Sequence, residues 1–444
     1  MNYRTLIAIL ISFHIIRTSN NAYGSDEHEE KCTVKVFNVG QGNAIGIRYE
    51  YKEGNDRRYE TMLIDAGSTY LKPRNGQTTT KRTKILKKIK EFVRGNKETK
   101  DLTTVKAVVV THAHDDHFNL LAEIFENYDK SIENLILSGA KEVERAYDAT
   151  VNSIKTNKIL YTRSIKTKSK GGKKLTTIEE EAPEAVGELL KFTPKTNTPT
   201  INVLSLNGGS HTTNKNDDSI VLQLLCAQTL SILLTGDATK ETWKKVVELG
   251  NTHSHILLFP HHGSKREIQC SYGSIISIIK PSVCIFSAGL QPRFKHPTEE
   301  AFVEARKYAL IEDHPISLTI GTKEGFIPIW NDQAIFSTAD HGDITITVEG
   351  APITTSANTN EKPFLIMLED KDVPVIKWYD EKNKKPMTSM LSSRVTLEEK
   401  AKLAELIKSE EGSIIYRHLE DEKAYAYSRA NDPNVIFYLI EEDE

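Results

Sequence analysis

Short apolar runs, set off by polar turns and by stretches of helical spacing, make up most of the chain between Cys32 and about Gly350. Thr33–Val39, Ala44–Tyr51, Glu60–Ile64, Ala107–Thr111, Ile220–Cys226, Leu230–Leu234, Ile256–Phe259 and Val283–Phe286 are short and bounded by turn residues, which predicts strands. Between Lys81 and Lys97 the apolar positions Ile85, Ile89, Phe92 and Val93 recur at helical spacing, and the opposite face is basic. Strands interleaved with helices predict a layered α/β fold.

The pattern changes at both ends. Residues 351–362 are polar and linker-like, and residues 363–444 predict a small α+β accessory domain. Its strands are expected at Phe364–Leu368, Val373–Trp378, Ser413–Tyr416 and Val435–Ile440. Thr396 with Glu399 forms a capping-box signal for a helix running to about Ser409. At the other end Arg4 precedes the apolar run Leu6–Ile16, which is too short for a convincing span, and Ala22-Tyr23-Gly24 offers small residues for cleavage. Residues 1–24 therefore read as a secretory signal, with an uncleaved anchor as the alternative. The expected protein is secreted or periplasmic, with no stable membrane association.

Composition narrows this only slightly. A chain of 444 residues has room for two or three domains, and its net charge of −3 leaves any argument for an anionic partner to local clusters. Four cysteines make no disulfide framework at this length. Cys226 and Cys284 lie in apolar runs and read as core, while Cys32 and Cys270 are left as a candidate pair.

The chemistry concentrates at strand ends. His112-Ala113-His114-Asp115-Asp116-His117 follows Ala107-Val108-Val109-Val110, so a buried strand delivers imidazoles and carboxylates to its own end. Such donors suit a borderline divalent cation, with zinc favoured and manganese or iron as alternatives. Asp65-Ala66-Gly67, Thr235-Gly236-Asp237 and Pro260-His261-His262-Gly263-Ser264 end three further runs. Polar residues presented at one edge by buried strands build a cleft.

This series resembles the metallo-β-lactamase superfamily. Phe37-Asn38-Val39-Gly40-Gln41-Gly42-Asn43-Ala44, Leu63-Ile64-Asp65-Ala66-Gly67, Asn216-Asp217-Asp218-Ser219, Leu233-Leu234-Thr235-Gly236-Asp237, His261-His262-Gly263-Ser264 and His296-Pro297 are similar to the extracytoplasmic domain of the DNA-uptake channel protein ComEC and its free-standing relatives. The resemblance covers about residues 32–350 and implies an αββα sandwich that hydrolyses esters with metal-activated water. It implies that His112 and His114 hold one metal and Asp116 and His117 a second. Asp237 would bridge the two, and one of His261 and His262, with His262 favoured, would complete the second site. Asp65 would orient a ligand histidine. His296 would contact phosphate or protonate a leaving group, making it with Asp116 a catalytic candidate, and Lys265 and Arg293 would bind substrate.

Two departures stand out. The further histidine common in the superfamily has its nearest counterpart at His211, in a Gly-Gly-Ser-His-Thr-Thr loop of uncertain alignment, so the first site is expected to be short of a ligand and the weaker of two unequal steps. Asn38 and Asn43 stand where relatives commonly have aspartates.

The expected substrate is a phosphodiester, a nucleic acid or a smaller ester, cleaved with one or two divalent ions. Lactam or lactone hydrolysis and a non-catalytic binding module are the rival readings. The basic runs Lys81–Lys90 and Lys155–Lys174 could follow a phosphate backbone, or be a solvated helix face and a flexible loop.

Overall fold

The computed structural model describes residues 30–69, 80–140, 147–170, 173–208, 214–226, 230–250, 252–267, 269–270, 273–323 and 325–349, together with the strands Ile7–Leu10, Phe364–Glu369, Val375–Asp380, Lys385–Met390, Ile415–His418, Tyr425–Ser428 and Val435–Tyr438. Two mixed sheets face each other across an apolar core, and helices cover both outer faces, which is the αββα sandwich. In the first sheet Lys31–Val36, Ala44–Glu53 and Asp56–Ala66 run antiparallel, and Thr103–Val110, Ile132–Ala140 and Thr156–Lys170 add in parallel. In the second, Leu230–Leu234, Ile256–Leu258, Val283–Phe286 and Ile335–Ser337 are parallel, and Val221–Cys226 and Thr200–Ser205 extend it antiparallel.

Alternation along each strand explains the layers. Ile64 and Val109 enter the inter-sheet core with Leu222, Ile232 and Leu258. Their neighbours Leu63, Val108 and Val110 pack outward with Ile85, Ile89 and Ile124 of the covering helices. On the other sheet Leu233 and Leu257 meet Trp243, Val246 and Ile276. A strand covered on both faces is apolar at every position, so it appears in the sequence as an unbroken run.

Several expectations change. Lys155–Lys174 is no loop: Thr156–Lys170 and Lys173–Glu180 form an antiparallel hairpin, because Ile159, Thr162, Ile165, Thr176 and Ile178 carry the strand preference among the lysines. The helix Thr80–Val93 spends part of its basic face on ion pairs. Arg82 donates to Glu123 Oε2 at 3.2 Å, and Lys88 Nζ lies 2.8 Å from Asp343 Oδ2. Those two cations anchor the helix, while Lys81, Lys84 and Lys87 of the same run stay exposed.

Cys32 is close to Cys226, not paired with Cys270 by any described contact. Their sulfurs lie 2.6 Å apart between the two sheets, both buried. Distance in sequence, 194 residues, hid the contact. Phe364–Glu369 pairs with Asp343–Glu349 and Ile7–Leu10 pairs with Phe364–Glu369, so both continue the first sheet. Val375–Asp380, Lys385–Met390, Ile415–His418, Tyr425–Ser428 and Val435–Tyr438 form a separate five-stranded sheet. The linker, the Thr396 helix and the cleavage positions lie outside the described residues. Among those residues no helix is long and apolar enough to cross a membrane.

Candidate metal centre

Strand ends from both sheets meet at one edge of the sandwich. Thr103–Val110 of the first sheet leads into Thr111–His117, and Leu230–Leu234 and Ile256–Leu258 of the second lead into Asp237 and the His261-His262 turn. The ligand loop is seated by backbone packing: a Cβ on Gly67 would lie 2.2 Å from the Asp116 carbonyl carbon and 2.3 Å from His117 N. Only glycine lets the Asp65 strand end pass so close to that peptide.

Two groups of donors result. One donor atom from each of His112, His114 and Asp237 lies within 4.8 Å of the others, and the same holds for Asp116, His117 and His262. Asp237 joins them. Its Oδ1 lies 3.2 Å from His117 Nε2 and 3.5 Å from His262 Nε2, and its Oδ2 lies 3.6 Å from His112 Nε2 and 3.5 Å from His261 Nε2. His262 Nε2 is also 3.6 Å from Asp116 Oδ2, and His112 Nε2 is 3.0 Å from His114 Nδ1. The sequence left one histidine of the 261–262 couple facing the cluster; the structure turns both toward Asp237.

The donor set fits divalent cations. His117 Nε2, Asp237 Oδ1 and His262 Nε2 are buried without a hydrogen-bond partner, an arrangement that costs stability unless something else occupies those lone pairs. Their tautomers are set from behind. His262 Nδ1 donates to the Ser287 carbonyl at 2.7 Å and His117 Nδ1 donates to Asp65 Oδ2 at 2.7 Å, so both rings present Nε2 to the cleft.

Asp65 is fully buried and receives Thr111 N at 2.7 Å, Thr111 Oγ1 at 2.8 Å and Asn43 Nδ2 at 3.0 Å besides His117. An amide at position 43 is therefore a donor to a buried carboxylate. Aspartate there would set two carboxylates face to face. Asn38 likewise has a structural place, accepting from Gly40 N at 3.2 Å while its own N–H donates to Asp343.

Burial opposes ionisation of Asp237, yet His261, His117, His262 and His112 together hold its carboxyl well below the carboxylate range. Burial likewise works against Asp116, and His262 and His117 still pull it down. Burial and the neighbouring His117 push His112 well down, and burial lowers His114. His117 goes the other way: burial disfavours its charge, but Asp237 and Asp65 raise it well above an ordinary histidine. A cation at Nε2 would replace that proton.

His296 is buried beside the cluster, its ring 5.6 Å from His261 and 6.3 Å from His262, with Nδ1 3.4 Å from Gln41 Nε2. Burial, then His262 and His261, push its imidazole down to about 3. Unfolded, it titrates near 6.5. Above that pH neither state carries the proton. Below it the unfolded chain takes up a proton that the folded one refuses, so stability is lost as pH falls from about 6.5 toward 3. Urea midpoints in chelator should therefore drop between pH 7 and pH 5, and drop less in His296→Asn; an identical drop in that variant would show that His296 does not contribute.

The other sequence candidates have contacts of their own. Lys265 Nζ is 2.9 Å from Glu300 Oε1 with both side chains exposed, and Arg293 is exposed beside the Phe294 ring. Asp217 accepts from Thr239 Oγ1 at 2.7 Å and Asp218 pairs with Arg163 at 3.0 Å, so the Asn216–Ser219 motif braces a helix start and the hairpin. His211 lies outside the described residues. No local motif marks Thr111, Ser287 or Gln41, since the partners that give them a place are Asp65, His262 and His296, each distant in sequence.

Residues 56–134 match the family model described as Metallo-beta-lactamase superfamily. No curated protein matches the chain in sequence. Among solved structures the short form of human tRNase Z is similar at 10% identity over 58% of this chain and 93% of that chain, with a TM-score of 0.30. The span from Asp56 to Asn134, which contains Asp65 and the whole His112–His117 cluster, is the part of the chain that matches the metallo-β-lactamase superfamily, and it lies within the layered αββα fold.

Proposed function

We propose that the chain is a metal-dependent hydrolase with a two-cation centre that cleaves phosphodiesters. The superfamily match and the His/Asp cluster support the hydrolase. The observation that carries the reading is the division of Asp237, one oxygen toward His117 and His262 and the other toward His112 and His261. A carboxylate so placed would help to hold two divalent cations, with His117 and His262 on one side and His112 and His261 on the other, and such a pair suits displacement at phosphorus. When bound, the cations supply Lewis acidity toward water and toward phosphate oxygens.

The chain's own residues do the rest. Asp65 and Ser287 hold the imidazoles of His117 and His262 in the tautomer that faces the cleft. Asp116 stays ionised despite burial. His296 is neutral at neutral pH. With Gln41 donating to Nδ1, its Nε2–H is available to an oxygen of the ester, which makes it a hydrogen-bond donor to developing charge rather than a proton source. The ComEC-like motifs favour a phosphodiester over a lactam.

Purified protein loaded with zinc or manganese should hydrolyse bis(p-nitrophenyl) phosphate and lose that activity in chelator. His296→Ala should lower kcat by about a hundredfold, the order seen when one preorganised donor is removed. Opening of a lactam or lactone without phosphodiester turnover would move the assignment to those substrates, and metal binding with no turnover of either would make the domain a binding module. Replacing Lys166, Lys168, Lys170, Lys173 and Lys174 by Gln separates polymer from small ester: loss of DNA or RNA cleavage alone, with a steep salt dependence, supports a nuclease.

A further inference from the structure

We propose that His261 is a direct ligand of the first cation, so that His112, His114, His261 and Asp237 make a four-donor site equal in number to Asp116, His117, His262 and Asp237. The inference rests on the two-cation reading and assigns a further donor to a first site that has three among the described residues.

The argument is one of edges. A tetrahedral ion with bonds of about 2.0–2.1 Å sets its donors about 3.4 Å apart. His261 Nε2 lies 3.5 Å from Asp237 Oδ2, and His112 Nε2 lies 3.6 Å from the same oxygen. The corresponding edges of the second site, His117 and His262 to Asp237 Oδ1, are 3.2 and 3.5 Å. His261 Nε2 thus meets Oδ2 at the same spacing at which His262 Nε2 meets Oδ1. One carboxylate sorts the two adjacent histidines onto opposite cations.

The backbone is bent to allow this. His261 has φ 50 and ψ 45, and His262 has φ 58 and ψ 17, two successive non-glycine residues in the left-handed region. Such residues are rare because Cβ crowds the chain, and they persist where the surroundings over-determine them. Here His261 N donates to the carbonyl of Gly236, the residue before Asp237, at 3.1 Å. That bond fixes the turn against the bridging carboxylate. The side chain is a quarter exposed, so the proposed ligand lies at the mouth of the cleft, whereas His262 is buried.

The test is cobalt titration of the full chain, following visible absorption and calorimetric heat rather than turnover. Wild-type protein should take up two ions with similar affinity. His261→Ala should keep one tight site and weaken the other at least about a hundredfold, since loss of an outer partner alone costs ten- to a hundredfold. His261→Gly should do the same while melting in chelator like the wild type, because glycine reaches φ 50 without a steric penalty. His211→Ala should retain both steps. Two tight sites in both His261 variants would overturn the assignment, and loss of a site in His211→Ala would give the ligand role to His211. A wild-type protein that binds no cobalt would instead overturn the two-cation reading itself.

Discussion

If the chain is the two-cation phosphodiesterase proposed above, Asp237→Ala is expected to lower hydrolysis by far more than about a hundredfold and to weaken both cation sites together, the largest effect of any single change in this protein. Each other donor faces one set, whereas the two oxygens of Asp237 face four histidine nitrogens at 3.2–3.6 Å. In chelator the change also removes the carboxylate beside His117 Nε2, 3.2 Å from Oδ1, so a lower melting temperature without metal is expected as well. Cobalt uptake, turnover and a chelator melt on one preparation separate these effects. Activity within tenfold of the wild type, or one site left intact, would remove Asp237 from the bridging position.

The second large effect is on stability. Asp65→Ala should cost about 3–5 kcal/mol, the range for removing one partner of a buried charged network. Thr111 N, Thr111 Oγ1, Asn43 Nδ2 and His117 Nδ1 would all lose their acceptor in a site closed to water. Asp65 has φ 57, so Asp65→Asn is the cleaner companion: asparagine accepts the left-handed backbone, but its amide turns a donor toward other donors. Both variants should lower the urea midpoint in chelator, and Asp65→Asn should also weaken cobalt binding as His117 loses its orientation. Wild-type stability in both would mean that the network around Asp65 is solvated.

Asn43 extends the same logic. Its amide donates to Asp65 Oδ2 at 3.0 Å, so the side chain that departs from the ComEC-like pattern supplies a hydrogen-bond donor to the carboxylate behind His117.

Much of this was legible in the chain. The unbroken apolar run Val283–Phe286 is a strand with those same ends, because a strand covered on both faces is apolar throughout, and Leu230–Leu234 keeps its ends with Ser231 as its one polar position. The hairpin Thr156–Glu180 was masked by lysines, whose charge says nothing about the backbone beneath them. Phe364–Glu369 appeared to begin a C-terminal unit because strand pairing leaves no local trace of the partner chosen.

The sequence by itself determined which donors exist and that they sit at strand ends, since side-chain chemistry and hydrophobic period are local properties. Only the tertiary structure decided how those donors divide. The two oxygens of Asp237 face different histidines, Ser287 fixes the tautomer of His262, Asp65 fixes that of His117, and Arg82 and Lys88 are taken up by Glu123 and Asp343. The physical reason is that direction, tautomer and ion pairing depend on groups brought together from 25 to 255 residues away, and spacing along the chain carries no information about them.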